Sequence, residues 1–94
     1  MIFVRDPKKD RINRRKHGVS FELAARVFKD LGAVSYADRV VEGEERWHTI
    51  GFARDPVLLL VVHTVEEEDG EEKIRIISAR KADSRERSLY ASAH

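Results

Sequence analysis

The chain has 94 residues, a length that suits one compact domain and is too short for two domains with separate cores. Hydrophobic residues make up 41% of the chain and charged residues 37%, which indicates a folded protein with a heavily solvated surface and argues against disorder. The net charge is only +1, and the absence of cysteine excludes disulfides, zinc–thiolate sites and thiol nucleophiles.

The first predicted elements are a short strand and a cationic helix. Residues 1–5 are β-prone, Asp6 can cap a helix through its side-chain oxygen, and Pro7 suits the first helical position. Gly18 ends this helix, because glycine tolerates the positive φ of a C-terminal cap. Since Ile12 is its only aliphatic residue, we expect the helix to lie on the surface.

A second helix is predicted between Ser20, which can cap it, and Gly32, which ends it. Its apolar residues recur at helical spacing, at Ala24, Val27, Phe28 and Leu31. We therefore expect this helix to be buried.

Four β-prone segments follow, joined by short separators, at residues 33–40, 45–53, 57–65 and 72–80. A parallel crossover needs about a dozen residues, so the short links favour an antiparallel meander. The dipeptide Asp69-Gly70 is typical of a type I′ hairpin turn.

A final helix is predicted to run to about Ala91, because Asp83 and Glu86 resemble a capping box. The predicted fold class is α+β, with two N-terminal helices packed on an antiparallel β-meander of about four strands, plus a C-terminal helix. One domain is expected to span residues 1–94.

No segment predicts membrane insertion. The longest apolar stretch, residues 57–62, is far shorter than the roughly 20 residues of a membrane helix, and the N-terminus lacks the apolar region of a signal peptide. We expect a cytoplasmic, soluble protein with no membrane partner.

The first helix carries a candidate binding surface. Six lysine and arginine residues fall within residues 8–16, and their mutual repulsion makes this an unfavourable way to achieve solubility alone. Helical spacing aligns Lys9, Asn13 and Lys16 along one face, which could hold a phosphodiester backbone. His17 either caps the helix, where the dipole favours imidazolium, or protonates a leaving 5′ oxygen in RNA cleavage.

The strand "EERWHTIG" offers a second group of candidates. Alternation places Arg46, His48 and Ile50 on one face and Trp47 on the other. Trp47 is interpreted as a packing residue, with base stacking as the alternative. His63 falls on the apolar face of its strand, which indicates a hydrogen-bonded core histidine. The histidines lack carboxylates at ligand spacing, so we predict neither a metal nor another cofactor.

The last strand and helix provide further cations. Alternation in "KIRIISARK" places Arg75 and Arg80 on opposite faces, unless the strand bulges or ends between them. Arg80, at the strand-to-helix junction, is better placed for a ligand than Arg75. Arg87 and Tyr90 are one helical turn apart and either join the same site or pack the last helix onto the sheet.

The sequence resembles the BrnT family of ribonuclease toxins from type II toxin–antitoxin systems. The resemblance lies in Asp6, Lys9 and Asn13, followed by "KHGVSFELAARVF", "GEERWHTIG" and "RIISARKADSRERSLY" in that order. Two features depart from the family. Val4 and Arg5 stand where an aromatic residue is typical, and the hairpin "EEEDGEE" is unusually acidic.

Membership of this family implies a RelE-like fold and RNA cleavage that inhibits translation. It also implies neutralisation by a cognate BrnA-type antitoxin, with operator DNA bound only through the toxin–antitoxin complex. The implied mechanism is metal-independent attack of the ribose 2′-OH on the adjacent phosphate, which leaves a 2′,3′-cyclic phosphate and a 5′-OH.

The resemblance also gives roles to the candidate residues. The catalytic candidates are Lys16 and Arg80 as the main cations, Arg46 and Arg75 as weaker ones, and His17 as the acid–base group. The RNA-binding candidates are Lys9, Asn13, Trp47, Arg87 and Tyr90. This mechanism requires Lys16, His17 and Arg80 to converge on one phosphate. The chief alternative is a non-catalytic module that binds RNA, the ribosome or a protein partner through the basic helix.

Overall fold

Five strands form one sheet in the computed structural model, which describes all of residues 1–94. The elements are β1 (Ile2–Val4), α1 (Pro7–His17), α2 (Phe21–Ala25), a 3₁₀ helix (Arg26–Lys29), β2 (Val34–Val41), β3 (Glu44–Arg54), β4 (Val57–Glu68), β5 (Glu71–Lys81) and α3 (Ser84–Ser92). No helix is long and apolar enough to span a membrane.

The strand order is β1-β5-β4-β3-β2. Strands β2 to β5 pair as the predicted antiparallel meander. The prediction of about four strands is incomplete, because β1 adds a fifth strand that pairs in parallel with β5. The α+β class is confirmed.

Helix α1 begins and ends where the sequence predicts. The Asp6 carboxylate accepts a hydrogen bond from the Lys8 N–H at 2.9 Å, and Pro7 is the first helical residue. Gly18 follows the last residue with φ of 71°, in the left-handed region, and its N–H donates to the Arg14 carbonyl. The helix exposes its cations and buries only Asn13.

The second helix is shorter than predicted, and this part of the prediction is wrong. Ser20 caps it as expected, but after five residues the backbone changes to a 3₁₀ helix that ends at Lys29. Asp30 then forms a turn, in which its carboxylate accepts the Gly32 N–H at 2.9 Å. Such local side-chain bonds compete with helical ones. Leu31 is therefore fully exposed instead of buried.

The two faces of the sheet carry separate apolar clusters. One cluster lies beneath α2 and the 3₁₀ helix, on what we call the covered face, and consists of Val19, Phe21, Ala24, Val27, Leu59, Val61, Ile74, Ile76 and Ala79. The other lies beneath α3 on the opposite face and consists of Ile50, Leu58, Leu60 and Ala82, with Tyr36, Phe52 and Tyr90 against it. The remainder of that opposite face has no helix over it.

A β-bulge in β5 decides which of its side chains share a face. Val62 pairs with Ser78 and His63 pairs with Ile76, so Ile77 is an additional residue without a partner. The bulge shifts the alternation of the strand by one position.

The bulge places Arg75 and Arg80 on the same face. Ile76 and Ala79 are both buried in the covered-face cluster, so the arginines beside them point to the opposite face. Of the two predicted possibilities for this strand, a bulge between the two arginines is the one that occurs. Arg46 lies on that face too, because it is four residues from the buried Ile50 along β3 and side chains an even number of residues apart share a face. We call it the arginine face.

Candidate functional site

The cations of α1 line a cavity of about 270 Å³ at the edge of β5, which we call the α1 pocket. Its lining consists of Lys9, Ile12, Asn13, Lys16, His17, Ile77 and Ser78. Helical spacing predicted that the two lysines and Asn13 would share a face, and the pocket confirms it. His17 is half-buried at the last position of the helix.

Asn13 holds α1 against β5. Its side-chain nitrogen donates to the carbonyls of Val19 and Ala79, both at 2.8 Å, and its oxygen accepts the Ala79 N–H at 3.1 Å. Both amide hydrogens are therefore used within the fold. Asn13 is only 4% exposed, so its contribution to the α1 pocket is to position the helix.

The arginine face is organised in rows that run across the strands. From β2 to β5, the central row consists of Tyr36, His48, Val62 and Ser78. A second row flanks the central row on one side and ends at Arg80, which pairs with Leu60. A third row flanks it on the other side and ends at Arg75, which pairs with Thr64. Neighbouring rows lie about 7 Å apart, because they are two residues apart along the strand.

Arg80 is fixed by a buried carboxylate of α3. Its two terminal nitrogens donate to the two oxygens of Glu86, each at 2.8 Å. Glu86 is only 8% exposed and also closes the capping box of α3 by accepting the Asp83 N–H. The hydrogen bonds that Arg80 donates to Glu86 raise the pKa of Arg80, so this side chain carries its charge at any working pH.

The other two arginines differ in their partners. Arg75 donates to the Glu44 carboxylate on the neighbouring part of the same face. The Nε of Arg46 is buried and has no hydrogen-bond partner. A buried donor without an acceptor is uncommon in folded proteins.

His48 stands between a phenol and a carboxylate on the arginine face. Its Nδ1 is 3.2 Å from the Tyr36 hydroxyl, and its Nε2 is 3.5 Å from an oxygen of Asp38. Burial raises the pKa of Tyr36, and the carboxylate of Glu86 raises it further, so the phenol keeps its proton. Sequence reasoning missed Tyr36 and Asp38, because the sequence predicts that β2 pairs with β3 but shows neither the register nor the bulge that bring these residues to His48.

Trp47 and His63 lie on the covered face, away from the arginines. Half-buried Trp47 lines a cavity of about 280 Å³ together with Phe28, Ser35 and His63. His63 is 2% exposed, and its Nε2 is 2.6 Å from the Thr49 hydroxyl, which confirms the predicted hydrogen-bonded core histidine. Burial lowers the pKa of His63 to about 4.

The two candidate residues of α3, Tyr90 and Arg87, lie in different environments. The Tyr90 hydroxyl donates to Asp30 at 2.8 Å, and its ring packs edge-on against Phe52 at 5.2 Å. Tyr90 thus packs the last helix onto the sheet, which was one of the two predicted uses. Arg87 is exposed to solvent.

The predicted site residues therefore form two neighbouring groups. Lys9, Lys16 and His17 line the α1 pocket, while Arg80 does not line that pocket and belongs with the other arginines on the arginine face. The two groups meet at Ser78, which lines the pocket and ends the central row. No three histidine, aspartate or glutamate side chains are grouped so that they could hold a metal ion.

Comparisons with known proteins identify relatives of this chain. The family described as "Ribonuclease toxin, BrnT, of type II toxin-antitoxin system" matches residues 6–86. No curated protein sequence matches. Among solved structures, the 1.1 Å crystal structure of the Brucella abortus ribonuclease toxin BrnT is 20% identical, with a TM-score of 0.60. The match covers 89% of this chain and 100% of that chain, and it shows a common α+β fold. The RelE-like arrangement stays a prediction.

Proposed function

Because the chain belongs to the BrnT family of ribonuclease toxins of type II toxin–antitoxin systems, we propose that it is an endoribonuclease that works without a metal ion. The ribose 2′-OH attacks the adjacent phosphorus, and the bond to the 5′ oxygen breaks. The products are a 2′,3′-cyclic phosphate and a 5′-OH. The observation that carries this proposal is the gathering of three guanidinium groups on one face of the sheet, beside the cationic α1 pocket.

The arginine face supplies the positive charge that this reaction needs. The phosphorane-like transition state is more negative than the substrate, and fixed cations stabilise it most when they need no rearrangement. Arg80 meets that condition through Glu86, and Lys16 adds charge from the α1 pocket. Arg46 and Arg75 extend the positive surface, and Arg46 forms none of the ion pairs of the fold.

The α1 pocket holds the neighbouring backbone of the RNA. Lys9 and Lys16 contact phosphate oxygens there, and Asn13 sets the position of the helix. The predicted acid–base role of His17 requires the scissile phosphate to lie in this pocket. If the scissile phosphate lies on the arginine face instead, His17 only binds RNA.

The remaining RNA-binding candidates lie farther from the arginines. Exposed Arg87 extends the cationic surface along α3. A base that stacks on Trp47 belongs to a nucleotide well away from the scissile phosphate, because Trp47 lies on the covered face. Tyr90 supports the site indirectly, through its bond to Asp30.

The biological setting follows from the family. A cognate BrnA-type antitoxin neutralises the protein in the cytoplasm, and operator DNA is bound only through the complex of the two proteins. The free toxin inhibits translation by cutting RNA. The description of the family as the toxin of a type II toxin–antitoxin system supports an antitoxin partner and an RNA substrate.

A cleavage assay tests the proposal directly. Purified protein is incubated with RNA in EDTA, and the new ends are mapped, with 5′-OH and 2′,3′-cyclic phosphate termini expected. Arg80→Ala should lower the cleavage rate by about 10²–10³-fold, since removal of one stabilising group from a transition state has effects of this size. The matched control, exposed Arg54→Ala, should cleave like the natural protein.

Two results would contradict the proposal. Cleavage that EDTA abolishes would indicate a metal-dependent hydrolase. Salt-sensitive RNA binding without new ends would indicate the non-catalytic module, because counterion release drives RNA binding in either case.

A further inference from the structure

The surroundings of His48 determine which of its ring nitrogens carries the proton. Nε2 of His48 lies 3.5 Å from an oxygen of Asp38, which is ion-pair distance and longer than an ordinary hydrogen bond, and the negative charge there favours the neutral ring form that carries its proton on Nε2. Nδ1 then has a free lone pair, and the Tyr36 hydroxyl at 3.2 Å donates to it. The phenol and the ring therefore form a hydrogen-bonded pair, and the Asp38 carboxylate lies at ion-pair distance on the far side of the ring.

This arrangement has the parts of a proton-transfer device. In the serine protease triad, a carboxylate orients a histidine, which takes the proton from a hydroxyl group that is the nucleophile. Here Asp38 has the position of the carboxylate and Tyr36 that of the hydroxyl. A phenol is a poor nucleophile towards phosphorus, but it can pass on a proton that it receives from another hydroxyl.

The same device lies next to the guanidinium groups. Tyr36 and His48 belong to the central row. Arg80 belongs to the row on one side of it, and Arg75 belongs to the row on the other side. Half-buried Val62 separates His48 from Ser78 along the central row.

We infer that Tyr36 and His48, oriented by Asp38, move the proton of the attacking ribose. The scissile phosphate then lies over Val62, between the row that contains Arg75 and the row that contains Arg80. This inference rests on the proposed ribonuclease function. The 2′-OH gives its proton to the Tyr36 oxygen while the Tyr36 proton passes to Nδ1 of His48. The bond from the 2′ oxygen to phosphorus forms and the bond to the 5′ oxygen breaks. The 5′ oxygen takes a proton from water, and His48 later returns its proton to the solvent.

The inference separates the reaction from the α1 pocket. Two interstrand spacings of about 4.8 Å each lie between β3, which carries His48, and β5, with α1 beyond it. One phosphate therefore cannot contact both Tyr36 and His17. In this arrangement His17 binds a neighbouring nucleotide and does not transfer the proton.

Rate measurements on purified variants test this assignment. We expect His48→Ala and Tyr36→Phe to lower kcat for RNA cleavage by about 10²–10⁴-fold with little change in KM, as is usual when proton transfer is lost. Added imidazole should restore part of the His48→Ala rate, which a purely structural histidine would not allow. His94→Ala, at the exposed C-terminus, is the matched control and should keep full activity. Tyr36→Phe preserves the ring packing, so it still tests the assignment if His48→Ala fails to fold.

A modified substrate decides which proton is moved. An RNA with sulfur in place of the scissile 5′ oxygen has a leaving group that needs no proton. If the pair acts on the 2′-OH, Tyr36→Phe and His48→Ala remain slow on this substrate. If they cleave it as fast as the natural protein, the pair protonates the leaving group and the assignment is wrong.

The outcomes also separate this inference from the proposed function. If the natural protein makes no new RNA ends, the ribonuclease proposal itself is wrong. If it cleaves RNA and Tyr36→Phe and His48→Ala cleave equally well, only the assignment of these residues is overturned. A large loss in His17→Ala without loss in His48→Ala would place the reaction in the α1 pocket instead.

Discussion

The amide of Asn13 does the work of a peptide group at the edge of the sheet. It donates to the carbonyl of Ala79 and accepts from the N–H of the same residue, as a neighbouring strand would. A third bond, to the Val19 carbonyl, joins the end of α1 to the loop that follows it. One buried side chain therefore determines how the cationic helix sits beside β5.

Replacement of Asn13 tests this role. Asn13→Ala would leave the backbone groups of Ala79 and Val19 without their partners, and each buried polar group without a partner costs about 1–3 kcal/mol. We expect a loss of about 3 kcal/mol in the free energy of unfolding, measured by urea titration. Arg11→Ala, on the exposed side of the same helix, should change stability by less than about 0.5 kcal/mol. Equal effects of the two variants would show that the amide bonds contribute little.

His63 makes the stability of the protein depend on pH. Its pKa falls to about 4 in the folded protein, because burial disfavours the charged ring, whereas an unfolded chain binds the proton below about 6.5. The unfolded state therefore binds more protons between these two values, and stability falls as the pH falls through this window. Above about pH 6.5 the contribution of His63 is fully present.

We expect the free energy of unfolding to fall by about 2 kcal/mol more in the natural protein than in His63→Gln when the pH is lowered from about 7.5 to about 5. Urea titrations at the two pH values provide the comparison. Since both proteins contain the same carboxylates, the difference isolates the histidine. Parallel pH profiles would mean that the buried ring titrates normally.

At the scale of the elements, local signals in the sequence were sufficient for helix ends and turns. The caps of α1, the capping box of α3 and the positive φ values of the Asp69-Gly70 turn all occur as predicted. Each of these depends on residues that lie within a few positions of one another. Hydrophobic spacing alone overestimated the length of the second helix, because the chain turns at Asp30 although the apolar residues continue at helical spacing.

Features that depend on the exact register between strands could not be predicted, although the meander itself could. The bulge at Ile77 is a property of how β5 pairs with β4, and it is what brings Arg75 and Arg80 to one face. The register of β2 against β3 likewise brings Tyr36 to His48. The cations of the site were therefore recognisable in the sequence, whereas its candidate proton-transfer groups were not.

Close packing between the 3₁₀ helix and β3 requires a glycine at position 51. A Cβ added to Gly51 would lie 2.8 Å from Cγ1 of Val27 and 3.2 Å from Cβ of Ala33, which is closer than carbon atoms pack. The backbone of β3 thus touches the side chains of the element above it.

We expect Gly51→Ala to lower the free energy of unfolding by about 1–3 kcal/mol, because overpacking forces the 3₁₀ helix away from the strand. Val27→Ala removes the closest atom, so in that background Gly51→Ala should cause a smaller loss in the free energy of unfolding. Thermal and urea unfolding of the four proteins in this cycle measure the coupling. Additive effects would show that the two positions do not clash.

At the scale of the whole molecule, charges of opposite sign lie at different ends of β5. The acidic residues 66–72 form the end of β4, the hairpin turn and the start of β5, whereas α1 lies beside residues 77–79. The net charge of +1 therefore conceals a molecule with a positive and a negative end. An RNA strand is attracted to the first and repelled by the second.

The salt dependence of RNA binding measures this polarity. Each cation that contacts a phosphate of single-stranded RNA contributes about 0.7 to the slope of log K against log salt concentration. We expect Lys16→Ala to reduce the slope by about that amount, while Lys29→Ala, on the exposed surface of the 3₁₀ helix, leaves it unchanged. Fluorescence anisotropy titrations at several salt concentrations give the slopes. An unchanged slope for Lys16→Ala would remove the α1 pocket from the RNA path.

The two outer strands, β1 and β2, and the stretch of β5 beyond β1 carry features that discourage pairing with another chain. β1 pairs only with residues 73–75 of β5, and beyond it the side chain of Asn13 occupies the groups of Ala79. On the other side, β2 bulges at Asp38 and carries charged Arg39 beside it. Unpaired strand edges are templates on which chains aggregate, and bulges and charges suppress this. Loss of Asn13 would therefore do more than loosen a helix: it would bare a stretch of β5 to which a second molecule could add a strand.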